Sequence, residues 1–194
     1  AEMAYTAKDY EKALHIYKQL KDKAASMERR QLAKTGMLRS AHMLGNEEEI
    51  IFTATDLLAD TKLAPELSNE AHYYRAKAYL DAGKTDGAME DLKILAKDTR
   101  NVYGAEAKYK VAQIYFDGGQ TDKAEQEVLN YIEVSTPHTY WLARSFVLLA
   151  DVYMKSGRNL DAKQYLLSLK QNYQADDDIA GMIESRLEKL KTEN

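Results

Sequence analysis
At 194 residues, with 45% hydrophobic and 30% charged side chains, the chain can bury a sizeable core and is too apolar for disorder. The absence of cysteine removes disulfides, zinc knuckles and thiol nucleophiles and fits any compartment. Lys and Arg number 27 against 31 Asp and Glu, a formal net charge of −4, which argues against a nucleic-acid binder driven by phosphate neutralisation.

Only two prolines and nine glycines punctuate the sequence, which suits helices rather than a many-turned β fold. No apolar run reaches the roughly 18–20 residues that a spanning helix needs, so no membrane span is expected. Helical pairs recur along the whole length. Aligned on the residue that opens each second helix, the anchors are Ala13, Ile50, Ala88, Ala124 and Ala162, at intervals of 37, 38, 36 and 38 residues. Nine residues before each anchor stand Ala4, Ala41, Tyr79, Tyr115 and Tyr153. Four after it stand Tyr17, Ala54, Leu92, Val128 and Leu166, and seven after it Leu20, Leu57, Leu95, Tyr131 and Leu169. Such offsets trace one helical stripe, and a two-helix unit buries that stripe only by stacking on its neighbours.

The first repeat, about 1–27, is incomplete, because the aromatic expected in its first helix would precede Ala1. A C-terminal piece of a longer array is the expectation, with apolar surface at the N-terminal end and homo-oligomerisation through that end as one partner reading. Repeat two, 28–64, is the poorest copy: Ile50 replaces the small anchor while Ala41 replaces the tyrosine, an exchange that predicts compensated packing. Repeats three (65–101), four (102–136) and five (137–174) are regular. Thr85, Thr121 and Asn159 are expected as N-caps of the second helices, and Gly83, Gly118, Gly119 and Gly157 as ends of the first. Thr136-Pro137 predicts the start of the fifth pair. A closing helix over 176–191 carries the stripe Ile179, Met182, Ile183, Leu187 and Leu190, with Glu184, Arg186, Glu188 and Lys189 facing out.

Catalytic and metal chemistry find little to stand on. Gly83-Lys84-Thr85 lacks the earlier glycine of a phosphate loop, since Ala78 stands there, and it reads as an inter-helix turn. His15, His42, His72 and His138 show no ligand spacing, so packing or surface roles are expected and no metal or cofactor. Asp176, Asp177 and Asp178 lack the alternation and glycine of a calcium loop and read as acids at a helix start. Ser145 and Ser156 have no nucleophile motif, and Glu47, Glu48 and Glu49 read as solvated first-turn charges; an enzyme is not expected.

The pattern of Phe146, Leu149, Ala150, Tyr153, Ala162 and Leu166, kept as Ala76/Tyr79/Ala88 and Ala112/Tyr115/Ala124, resembles the tetratricopeptide repeat. Departures are His72 or Lys108 at the first-helix aromatic, Ala at the usual Gly, and a spacing longer than 34. The resemblance implies an all-α, right-handed solenoid of helix hairpins with a C-terminal capping helix, 1–194 forming one array. It also implies a non-enzymatic scaffold that binds a peptide or partner helix along a concave groove of first helices. Transferred residue by residue, the groove comprises Glu70, Tyr73, Lys77 and Leu80, then Glu106, Tyr109, Gln113 and Phe116, then Arg144, Val147, Asp151 and Met154. The Lys–Asn carboxylate clamp of chaperone-binding members has no counterpart in Thr35/Arg39, Tyr73/Lys77, Tyr109/Gln113 or Val147/Asp151. The segment from Gly104 to Glu125 further resembles the bacterial cell-envelope branch, implying the periplasm or envelope, with the cytoplasm as the alternative. The competing functional reading is a structural module whose repeats mainly mediate homo-oligomerisation or stacking on upstream repeats.

Overall fold
The computed structural model describes residues 1–192, and all regular structure among them is helical. The helices are α1 (Glu2–Thr6), α2 (Tyr10–Asp22), α3 (Met27–Leu44), α4 (Glu47–Leu58), α5 (Pro65–Asp81), α6 (Thr85–Leu95), α7 (Val102–Asp117), α8 (Thr121–Ile132), α9 (Thr139–Lys155), α10 (Asn159–Asn172) and α11 (Ile179–Thr192). They form two compact units, Ala1–Ile94 and Leu95–Asn194.

Each hairpin is closed by the same device. The residue five before the anchor adopts a left-handed conformation: Lys8, Gly45, Gly83, Gly119 and Gly157, with φ between 60° and 74°. The next amide then donates back to the carbonyl nine before the anchor: Asp9 to Ala4, Asn46 to Ala41, Lys84 to Tyr79, Gln120 to Tyr115 and Arg158 to Tyr153, at 2.7–3.0 Å. This 6→1 bond is the Schellman closure, and it keeps each turn to two or three residues. It also corrects the expected caps. Gln120 and Arg158 occupy the cap positions of α8 and α10 without a side-chain bond, so Thr121 and Asn159 are already helical, as is Thr85 at the start of α6. The residue whose amide makes the 6→1 bond is also the N-cap of the next helix, which moves the boundary by one. Asp9 and Asn46 fill the same position with true caps, accepting from the amides of Lys12 and Glu49.

The anchors and the positions four after them are buried throughout. In the first unit Ala41 and Ile50 share one buried cluster with Leu38, Ala54 and Leu57, so the small-for-large exchange is indeed compensated. The Tyr17 ring lies against the backbone of α3 at Gly36, where a Cβ would come within 2.4–2.5 Å of three ring carbons. Seven after the anchor, Leu57, Leu95, Tyr131 and Leu169 are buried, but Leu20 is 47% exposed, because the short α1 leaves it uncovered. In the second unit a single cluster runs from Tyr109 through α8, α9 and α10 to Leu190 of α11. Gly104 approaches the preceding loop so closely that a Cβ would meet the carbonyl oxygens of Asp98 and Leu95.

Two further expectations change. Helix α9 begins at Thr139, not at Pro137, because the Thr136 hydroxyl donates to the Thr99 carbonyl and accepts from the His138 amide, holding the segment in a turn. In α11, Arg186 does not face solvent: its Nε and Nη2 donate to Asp151 at 2.8 and 2.6 Å. No helix among the described residues is long and apolar enough to cross a membrane.

Candidate functional site
The residues expected to line a groove lie on the first helices of the pairs, and each unit carries its own set. In the first unit these are Glu70, Tyr73, Lys77 and Leu80 of α5, beside α3. Glu70 is buried and engaged, accepting from Nε and Nη2 of Arg39 at 2.7 Å each. Both charges are thereby matched in a bidentate pair, the strongest geometry available to a carboxylate. Tyr73 and Leu80 are half-buried, while Lys77 is exposed. Lys77 edges a small hollow of about 210 Å³ together with His42, Glu47, Tyr74 and Asp81. The His42 imidazole stacks on Tyr74 with centroids 4.1 Å apart; burial, and then the nearby Lys77 charge, depress its pKa.

Beneath this face, Asp91 of α6 is 1% exposed and bound from two sides, by Nε and Nη2 of Arg75 and by Nδ1 of His72 at 2.7 Å. Burial alone would raise its pKa, but the hydrogen bonds and charges of Arg75 and His72 prevail and lower it. His72 thus serves as a packing partner of a buried carboxylate, the kind of role expected from its isolated position.

In the second unit, Glu106, Tyr109, Gln113 and Phe116 lie on α7, and Arg144, Val147, Asp151 and Met154 on α9. The fold brings Tyr109, Gln113 and Arg144 together. The Tyr109 hydroxyl donates to Gln113 Oε1 at 2.8 Å, and the Arg144 guanidinium sits 5.2 Å from the Tyr109 ring centroid. Phe116 and Met154 are half-buried against the core, and Lys155 Nζ lies 4.9 Å from the Phe116 centroid. Val147 is 2% exposed and belongs to the core itself, and Tyr109 is 6% exposed, showing little more than its polar end. Asp151 is already committed to Arg186.

Three residues complete the Arg144 neighbourhood that the repeat pattern does not single out. Tyr140, one turn earlier on α9, accepts from Arg144 Nη1 at 2.8 Å, and its ring lies edge-on to Trp141, 5.1 Å away. Trp141 also lies 5.6 Å from Tyr109. Asp178, from the turn before α11, accepts from Nη1 at 3.1 Å while more than half exposed. Its neighbour Asp177 does the capping, accepting from the Ile179 amide and from the Tyr173 hydroxyl. The i, i+4 spacing of Tyr140 and Arg144 was legible on α9, but the arrival of Asp178 depends on how the chain folds back.

Residues 70–98 match the family model of the tetratricopeptide repeat. No curated protein matches the chain. Among solved structures, two crystal structures of MamA are similar at 18% and 19% identity, with TM-scores of 0.67 and 0.65. The former covers 99% of this chain and 96% of that one, the latter 88% and 86%. A Podosopora anserina protein of nearly identical TPR-like repeats is similar at 18% identity and a TM-score of 0.61, covering 88% of this chain and 90% of the other. The fold is therefore that of TPR-like helical repeats, an architecture generally used for protein–protein interaction rather than catalysis, and residues 70–98 carry the repeat's own sequence pattern.

Proposed function
We propose that the protein is a non-enzymatic scaffold that holds a peptide or partner helix against the first-helix face of its repeats. The observation that carries this reading is the second unit's face. Phe116 and Met154 offer apolar surface on α7 and α9, the helices that also carry the Arg144 guanidinium with Tyr109 and Tyr140 against it. Aromatic and arginine side chains are the usual anchors of interfaces, since they bury much area at small entropic cost. In the first unit, the half-buried Tyr73 and Leu80 of α5 play the corresponding part, with Lys77 at the hollow beside His42. The bacterial envelope as its setting rests on the resemblance of the Gly104–Glu125 segment alone.

Peptides selected from a random library on the whole chain test the proposal. Replacing Phe116 and Met154 together by alanine is expected to weaken the selected peptides about tenfold or more, with the helical signal kept and the melting temperature lowered, since both side chains also pack on the core. Unchanged affinity would overturn the reading. Tyr109 is unsuited to the test, because its ring is part of the core.

The second reading, self-association, draws on a different face. Met3, 88% exposed, and Leu20 and Leu32, both exposed, surround a hollow of about 580 Å³ between α1, α2 and α3. Sedimentation at rising concentration separates the readings: a constant monomer mass removes self-association, whereas a rising mass abolished by Leu20→Glu supports it.

A further inference from the structure
Four of the chain's eight arginines share a habit that Arg144 does not. Arg39, Arg75, Arg100 and Arg186 each place Nε and Nη2 on one carboxylate, that of Glu70, Asp91, Asp98 and Asp151 respectively. Arg144 does not. Its Nη1 donates to the Tyr140 hydroxyl and to Asp178, its Nη2 reaches the Tyr109 hydroxyl only at 3.4 Å, and its Nε is buried without an acceptor. A guanidinium carries five N–H donors and cannot lose its charge, so Arg144 keeps its full charge with no carboxylate held bidentately. The carboxylate that does reach it, Asp178, meets Nη1 alone, through one bond, from an exposed turn. Aromatic rings on both sides lower the local dielectric and stiffen the site, which strengthens any charged contact made there.

We propose that Arg144 is the receptor for an acidic side chain of the bound peptide, and that Asp178 occupies it from within the chain until such a residue displaces it. This proposal rests on the first-helix face being the binding face. The partner is thus a peptide bearing Glu or Asp, seated with its carboxylate on Arg144 between Tyr109 and Tyr140. The net charge of −4 disfavours general attraction of an acidic peptide, so its binding would report this local site rather than the whole surface.

The chain's single tryptophan, Trp141, lies in the site and provides the readout. Acetylated, amidated hexaglutamate is titrated into the whole protein while Trp141 emission is followed, with hexaglutamine as the neutral control. Hexaglutamate is expected to bind about tenfold or more tightly than hexaglutamine, and added salt to weaken it. Asp178→Asn is expected to tighten hexaglutamate about threefold or more while leaving hexaglutamine unchanged, because it removes the internal competitor. Arg144→Gln is expected to abolish the preference. A gain of affinity on removing an ion-pair partner is not what a merely structural contact would give, so the Asp178 variant decides even if Arg144→Gln folds poorly. Equal binding of the two peptides, or no tightening by Asp178→Asn, overturns the proposal. If that happens while library-selected peptides still depend on Phe116 and Met154, the Arg144 assignment falls and the binding face stands; if those peptides are also indifferent to Phe116 and Met154, both fall.

Discussion
Arg39 and Arg144 both lie on first helices, one in each unit, and their surroundings differ in kind. Arg39 grips Glu70 with both arms of its fork, so two charges of neighbouring helices are joined within the first unit. Arg144 is surrounded by phenols and one exposed aspartate, with its Nε unmatched. A carboxylate built into the fold turns an arginine into a fastener of two helices; without one, the same side chain remains able to take a carboxylate from elsewhere. The fork of Arg39 is therefore filled and that of Arg144 is not, which is why the binding proposal centres on α7 and α9.

The sharpest way to break this comparison is to unfasten the first unit at its most buried charge. Asp91→Ala leaves Arg75 and His72 without their shared partner and is expected to cost about 3–5 kcal/mol in urea unfolding. The pH dependence has a definite sign. Because the folded-state pKa of Asp91 is depressed, its contribution is present above the ordinary carboxylate range and is lost as pH falls through the lower folded value. Acid titration of stability should therefore flatten in Asp91→Asn, and an unaltered acid limb would contradict the assignment. Next in size is Gly104→Ala, expected to cost about 3 kcal/mol because the new methyl meets the backbone oxygens of Asp98 and Leu95. Gly36→Ala in the first unit should cost less, about 1–3 kcal/mol, since the obstruction is the Tyr17 ring, which can swing.

The comparison itself is sharpened by matched substitutions. Arg39→Met should destabilise by about 1–2 kcal/mol, as it strands the buried Glu70, with a discount for the exposure of Arg39. Arg144→Met should cost less than about 1 kcal/mol, since it strands no buried carboxylate. Equal losses in chemical denaturation would mean that the two arginines are fasteners alike. Smallest of all, Lys8→Gly should stabilise by up to about 1 kcal/mol, because Lys8 alone among the five hairpin residues takes the left-handed conformation with a side chain. Gly119→Ala should lose a similar amount, and melting curves of the pair check both.

The fold was legible because periodicity alone selects it. The anchors, spaced 36–38 apart, and the residues four after them all lie buried, from Ala13 to Leu166. The left-handed glycines were readable for the same local reason. What escaped the sequence was decided by contacts between distant segments. Thr121 looked like a cap because its residue type suits one, yet the Schellman bond from Gln120 had already fixed the boundary. Arg186 looked solvent-facing on a helical wheel, but Asp151 of another helix reaches it. Val147 fell at a groove offset and packs inward instead, while Asp178 is 34 residues from Arg144 and no spacing rule joins them.

Amide NMR of the whole chain titrated with hexaglutamate tests the centre of this account most directly. The largest shifts are expected on α7 and α9, around Tyr109, Gln113, Trp141 and Arg144, with Asp178 moving as it is displaced. Shifts confined to α8 and α10, or none at saturating peptide, would contradict it.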